Sequence, residues 1–185
     1  MEKRWEMEAR DLIEHTVHNP DNWMREEVRD PDKAAALLSE AENHVPKDGV
    51  TALLCASLLR ISGRAEEALP LFHELLGEAR RQACPRKESA ALIRLGEAMK
   101  YSGTHVGAVT CFKQALSLKR LAPEYEDFAW QHLGKVQWEM GETKSAENSL
   151  EEALRLRRLK KDEALIKSTL AALCALRNDM WSQEA

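Results

Sequence analysis

The chain has 185 residues, 44% hydrophobic and 31% charged, which suits one folded domain or an array of small units sharing a core and excludes a disordered polyampholyte. Gly and Pro number only 8 and 6, so turn-rich β architectures are disfavoured and helix is favoured. The formal charge of −4 is concentrated in the first 50 residues, which carry 13 acids and 7 bases; the near-neutral remainder gives no electrostatic basis for a nucleic-acid partner.

No run reaches the roughly 18 apolar residues that cross a bilayer, and the charged start MEKRWEMEARD is not a secretory signal. The expectation is a cytoplasmic protein with no membrane partner. Residues 1–48 read as an atypical first unit. An opening helix carries His15 and His18 three residues apart, facing solvent; Asn19 and Pro20 then interrupt, and DPDKAAALLSEAENHVP reads as a second helix with Ala34, Leu38 and Ala41 on one face and Pro46 closing it.

From residue 49 the chain repeats a skeleton. Aligned on Gly63, Gly103 and Gly141, each copy has a small residue seven positions earlier (Ala56, Gly96, Gly134) and an Ala five positions later (Ala68, Ala108, Ala146). A bulky residue follows after four more (Phe72, Phe112, Leu150) and a further apolar one after another three (Leu75, Ala115, Ala153). Offsets of three, four and seven keep side chains on one helical face. The middle glycines close helices in the left-handed conformation, so each copy is a helix pair whose small residues lie at the crossing. Such a pair cannot bury both apolar faces alone and must stack on the next. The units are 49–84, 85–122 and 123–161, with Pro85 and Pro123 punctuating the connections; 162–185 is a capping helix on the end of a single domain.

Little in the sequence suggests catalysis. His15 and His18 lack a third ligand for a metal, no phosphate-cradling glycine motif is present, and none of the other histidines has a nearby Cys or Ser motif that would pair a nucleophile with a base. The expectation is therefore a non-enzyme without metal or cofactor. Cys55, Cys84, Cys111 and Cys174 lack paired spacing, and the three in apolar helical stretches read as small buried hydrophobes. The basic run RLRRLKK matches a recurring habit of cations at the ends of second helices, where the helix dipole favours them.

The motif formed by Trp130, Leu133, Gly134, Ala146, Leu150 and Ala153, and again by Leu92, Leu95, Gly96, Ala108, Phe112 and Ala115, resembles the tetratricopeptide repeat. The middle glycines are 40 and 38 residues apart, which resembles the lengthened repeats of kinesin light chains. The resemblance implies an all-α fold, an α-solenoid of stacked antiparallel helix pairs in a right-handed superhelix, acting as an adaptor or scaffold that takes a protein or peptide partner in its concave groove. Position by position it puts Leu53, Ser57 and Arg60, then Ile93, Glu97, Lys100 and Tyr101, then Gln131, Lys135 and Trp138 in that groove. It makes Trp130 a core residue, and Trp138 either a groove anchor or a packing residue against the neighbouring repeat. Substitutions at Tyr101 and Trp138 are expected to spare stability if both face an open channel. The sites at which one subtype grips chaperone tails carry Leu53, Ser57 and Ala90, with only Arg94 conforming, which disfavours that ligand. Other readings are a peptide-sensing regulator of the bacterial repeat type, a structural homodimer formed through the last helix, and an accessory subunit of an enzyme. At the C-terminus, Leu170 and Ala171 match the inward positions of a first helix.

Overall fold

A computed structural model describes residues 4–19, 22–42 and 49–184. In chain order these form α1 (Arg4–Glu14), a two-stranded ribbon β1 (Val17–Asn19) and β2 (Arg25–Glu27), then α2 (Pro31–Glu42), α3 (Gly49–Ile61), α4 (Ala65–Arg81), α5 (Pro85–Tyr101), α6 (His105–Ser117), α7 (Glu126–Glu139), α8 (Thr143–Lys160) and α9 (Glu163–Glu184). A 3-10 turn, Pro123–Tyr125, leads into α7. From α3 onward each helix packs mainly on its neighbours in sequence, and α3 touches α5, α5 touches α7 and α7 touches α9. The fold is thus all-α, a row of stacked helix pairs in which α3, α5 and α7 share an inner layer.

The local chemistry of the turns explains the pairing. Gly63, Gly103 and Gly141 have φ of 78°, 81° and 77°, and beyond each the next amide reaches back five residues to close the helix: Arg64 N to Leu59 O at 2.8 Å, Thr104 N to Met99 O at 2.7 Å, and Glu142 N to Gln137 O at 2.8 Å. This is the hydrogen bond that satisfies a helix C-terminus when a left-handed residue follows it. Pro85 opens α5, where a missing N–H costs nothing.

Where α5 crosses α6 and α7 crosses α8, there is no room for a side chain. A Cβ on Gly96 would lie 2.6 Å from the Phe112 ring, and one on Gly134 would lie 2.7 Å from Leu150 Cγ and 3.0 Å from the Ala146 carbonyl oxygen. Ala68, Ala108 and Ala146 are fully buried opposite, beside Phe72, Phe112 and Leu150. Gly134→Ala should accordingly lose about 1–3 kcal/mol through overpacking, since backbone as well as side chain must give way. Urea denaturation measures this; an unchanged midpoint would mean that α7 and α8 separate there without penalty.

Several expectations are corrected. The first unit is not a plain helix pair: the ribbon lies between α1 and α2, with Val17 facing Glu27, His18 facing Glu26 and Asn19 facing Arg25. His15 and His18 do not share a helix, because α1 stops at Glu14 and His18 lies on β1 with its Nε2 3.8 Å from Glu26. Ala34, Leu38 and Ala41 are buried as a second-helix face should be, whereas Pro20 and Pro46, the expected breaks, lie outside the described residues. On α9 the inward face is Thr169, Ala172, Leu173 and Leu176, while Leu170 and Ala171 are exposed. Cys174, on the same outer side of α9, is exposed too, although Cys55 and Cys111 are buried.

Candidate functional site: the inner face and the ribbon on it

The inner layer carries ionic groups of both signs at positions that a bare solenoid would give to water. Lys100 is 1% exposed, Lys135 4% and Arg60 6%. They are covered by the chain's own ribbon, whose consecutive residues Met24, Arg25 and Glu26 supply the partners.

Arg25 makes a two-pronged contact with Glu139 at the end of α7, Nη2 to Oε2 at 2.6 Å and Nε to Oε1 at 3.1 Å. Its Nη2 also donates to the Lys100 carbonyl at 3.1 Å and its Nη1 to that of Tyr101 at 3.4 Å. A guanidinium suits this place, where a carboxylate stands beside the carbonyl end of α5 and a planar fork can serve both. Glu139 further receives Lys100 Nζ at 3.5 Å and His105 Nε2 at 3.0 Å. Burial alone would raise the Glu139 carboxyl, but the Arg25 hydrogen bond and the Lys100 charge hold it below its ordinary range.

Glu26 pairs with Arg60 Nη2 at 2.8 Å. Burial opposes its charge, yet Arg60 keeps its carboxyl well below the usual carboxylate range. The backbone of Glu26 is gripped as well: its N–H donates to the Tyr101 hydroxyl at 2.5 Å, and that hydroxyl lies 3.3 Å from its carbonyl. The Tyr101 ring meanwhile lies within 5.1 Å of the charged ends of Arg25, Arg60 and Lys100, an aromatic face that offsets part of the crowding of cations. Lys135 Nζ donates to the Met24 carbonyl at 2.9 Å. Burial, and then the nearby Lys100, push its pKa down to about 8.

Beside the ribbon the inner layer leaves a chamber of about 590 Å³, lined in part by Ser57, Arg60, Ile93, Glu97, Phe128 and His132. Glu26 lines it too, so chamber and ribbon site are continuous. Arg60 Nη1 makes no hydrogen bond there and faces Glu97 Oε1 at 3.4 Å. His132 Nδ1 lies 3.6 Å from the same carboxylate, also without a hydrogen bond. Burial pushes Glu97 up and, joined by the charges of Lys135 and Lys100, pushes His132 well down.

The residues expected in one open channel therefore separate. Ser57, Arg60, Ile93 and Glu97 line the chamber, and Lys100, Tyr101 and Lys135 lie under the ribbon. Leu53 instead lines an apolar hollow between α3, α4 and α5 with Val50, Phe72 and Leu75. Gln131 is buried with no hydrogen bond to its amide among the described residues. Trp138 takes the packing role: it is 5% exposed, it clusters with Leu150, Leu173 and Leu176, and its Nε1 donates to Asp179 of α9 at 2.8 Å. The open-channel expectation for Tyr101 and Trp138 is overturned, because one holds the ribbon and the other holds α9. Arg25, Glu26 and Glu139 are site residues that the repeat pattern did not indicate. Trp130 is half-buried against the main core.

The tetratricopeptide repeat family matches residues 129–158. Comparison with curated proteins gave no match. The matched span is one helix pair, α7 with α8, and the pairs α3–α4 and α5–α6 stack in series with it as a helical array of the same kind.

Proposed function

We propose that the chain is a non-catalytic protein-interaction module, built from repeats of the longer kinesin-light-chain type, that takes a partner segment on the inner face of α3, α5 and α7. A tetratricopeptide repeat suggests protein partners in general. The observation that carries the more specific reading is that this face already grips a stretch of polypeptide through its side chains and its backbone, with the chamber continuing beyond. Extended peptides bind in this way, through main-chain hydrogen bonds for affinity and side-chain sites for specificity.

A photo-crosslinking residue at Arg94, which lines the chamber, should capture the partner in extract of the native cells. The same residue at Val106, 73% exposed on α6, should not. Capture from Val106 alone would move the binding surface to the outer helices. A homodimer through α9 is a second reading, favoured by Leu170 and Trp181, which are 43% and 73% exposed on the last helix of the array; a sedimentation mass of one chain at micromolar concentration would exclude it.

A further inference from the structure

The ribbon docks with its charges inward and much of its apolar surface outward. Val17 is 40% and Trp23 41% exposed, while Arg25 and Glu26 reach into the helix layer to Glu139 and Arg60. A segment held as core would reverse that order, because apolar area drives burial and charges resist it. Met24 is its main apolar anchor, packed against the cluster around Trp138, with Val28 following at its end. The anchoring stretch is also strained: Trp23 and Met24 have φ of 46° and 56°, a left-handed pair of bulky residues of the kind that persists only where surrounding contacts enforce it.

The ribbon also fills the site incompletely. It satisfies Glu139, the α5 carbonyls, one arm of Arg60 and the Tyr101 hydroxyl, but only Glu26 of the ribbon lines the adjoining chamber, where the other arm of Arg60 and His132 Nδ1 face Glu97 without a hydrogen bond. A segment that repeats the ribbon's contacts and continues into the chamber gains those groups and the apolar surface of Ile93 and Phe128 as well.

We propose that the ribbon is a resident, displaceable occupant of the inner face, and that the partner is an extended peptide segment presenting an Arg followed by an acidic residue, which makes the ribbon's contacts in its place. This rests on the reading that the inner face is the binding surface. The Arg is specified by the bidentate carboxylate of Glu139 beside two helix-end carbonyls, which an ammonium would not match. The acid is specified by Arg60, and the spacing of one residue by the Tyr101 hydroxyl that holds the backbone between them.

The probe for the test is a labelled peptide with the chain's own sequence from Asn22 to Arg29. Titrated against the full chain, it should bind the Arg25→Ala/Glu26→Ala variant at least tenfold more tightly than the unaltered protein, because the variant's ribbon no longer holds the site. A probe with the same two alanines should bind neither, and adding Glu139→Gln to the variant should abolish binding of the original probe. Equal, weak binding to both proteins with the helical circular-dichroism signal intact would overturn the proposal. Hydrogen exchange of the unaltered protein tests it without a substitution: amides of residues 24–28 should exchange at least tenfold faster than the most protected amides of α5 and α7. Exchange of both sets only through global unfolding would make the ribbon part of the core and end the idea. Failure of the general reading looks different, since the Arg94 crosslink would then be missing while the probe still bound.

Discussion

Asp127→Ala is expected to lower stability by about 3–5 kcal/mol, the range seen when one member of a buried ion pair is removed. Asp127 is 0% and Arg157 2% exposed, with Arg157 Nε 2.9 Å from Asp127 Oδ2. Lys160 pairs with the other carboxylate oxygen. The guanidinium also donates to the Thr169 hydroxyl at 2.7 Å and the Leu165 carbonyl at 3.2 Å, so this one carboxylate on α7 ties in α8 directly and α9 through Arg157. Removing it strands a cation that cannot reach water. The double replacement Asp127→Leu with Arg157→Met should recover most of the loss, because apolar side chains of similar volume avoid the desolvation cost altogether. Urea denaturation of the three variants separates the cases; a single-variant loss below about 1 kcal/mol would mean that Arg157 finds solvent by moving, as exposed pairs do.

Residues such as Arg157 mark how far the sequence could be read. The basic run around it fits a helix-end habit, and Arg80 does close α4 in that way with Glu88 as partner. Arg157 instead turns inward, and what turns it is an aspartate 30 positions earlier. Gly96 and Gly134 were legible because a close crossing leaves little or no room for a side chain, and a small residue, Ala56, Gly96 or Gly134, repeats at a fixed offset in every unit. The left-handed turns were legible because glycine there meets a backbone need that few other residues meet. Both are local constraints, settled within one helix pair.

The ribbon was not legible, and its physics says why. Val17–Asn19 and Arg25–Glu27 show no alternation of apolar and polar residues, and the segment through His15 and His18 continues the helical texture of α1. Its contacts are distant: Glu26 meets Arg60 34 residues on, Tyr101 75 on, and Arg25 meets Glu139 114 on. Trp138 was ambiguous for the same reason, its partner Asp179 lying 41 residues later on the final helix. One signal was available. Arg60, Glu97, Lys100, Lys135 and Glu139 put both charge signs on the inner face of three helices, and Arg25 with Glu26 is a matching pair in the acidic N-terminal part. Charge complementarity of that kind suggests a contact without fixing its register, because any neighbouring acid or base in the run would satisfy it equally.

Lys135→Met is expected to stabilise the protein at pH 7 and to remove a pH dependence that the unaltered chain shows. The ammonium is 4% exposed and donates to the Met24 carbonyl at 2.9 Å; among the described residues it has no ion pair. Lys100, Glu26, Glu97 and Arg157 are the charges that act on it, and it bears in turn on His18 and His132. Burial dominates, and its pKa falls from 10.5 in a free chain to about 8 in the folded one. Between those values the unfolded chain carries a proton that the folded chain does not, so stability rises with pH across about 8 to 10.5, and below about 8 the full cost of burying the charge remains. A shift of this size is worth about 3 kcal/mol. Methionine keeps the aliphatic stem without the charge but forfeits the hydrogen bond to Met24, about 1 kcal/mol, which leaves a net gain of about 2 kcal/mol at pH 7. Lys100 also titrates low, so the measurement is the difference between the two proteins, taken by urea denaturation at several pH values. That difference should shrink and then reverse as pH passes from 7 to 10.5. A difference that stays constant with pH, or a variant less stable at pH 7, would mean that Lys135 reaches water past the ribbon and is not buried as a charge.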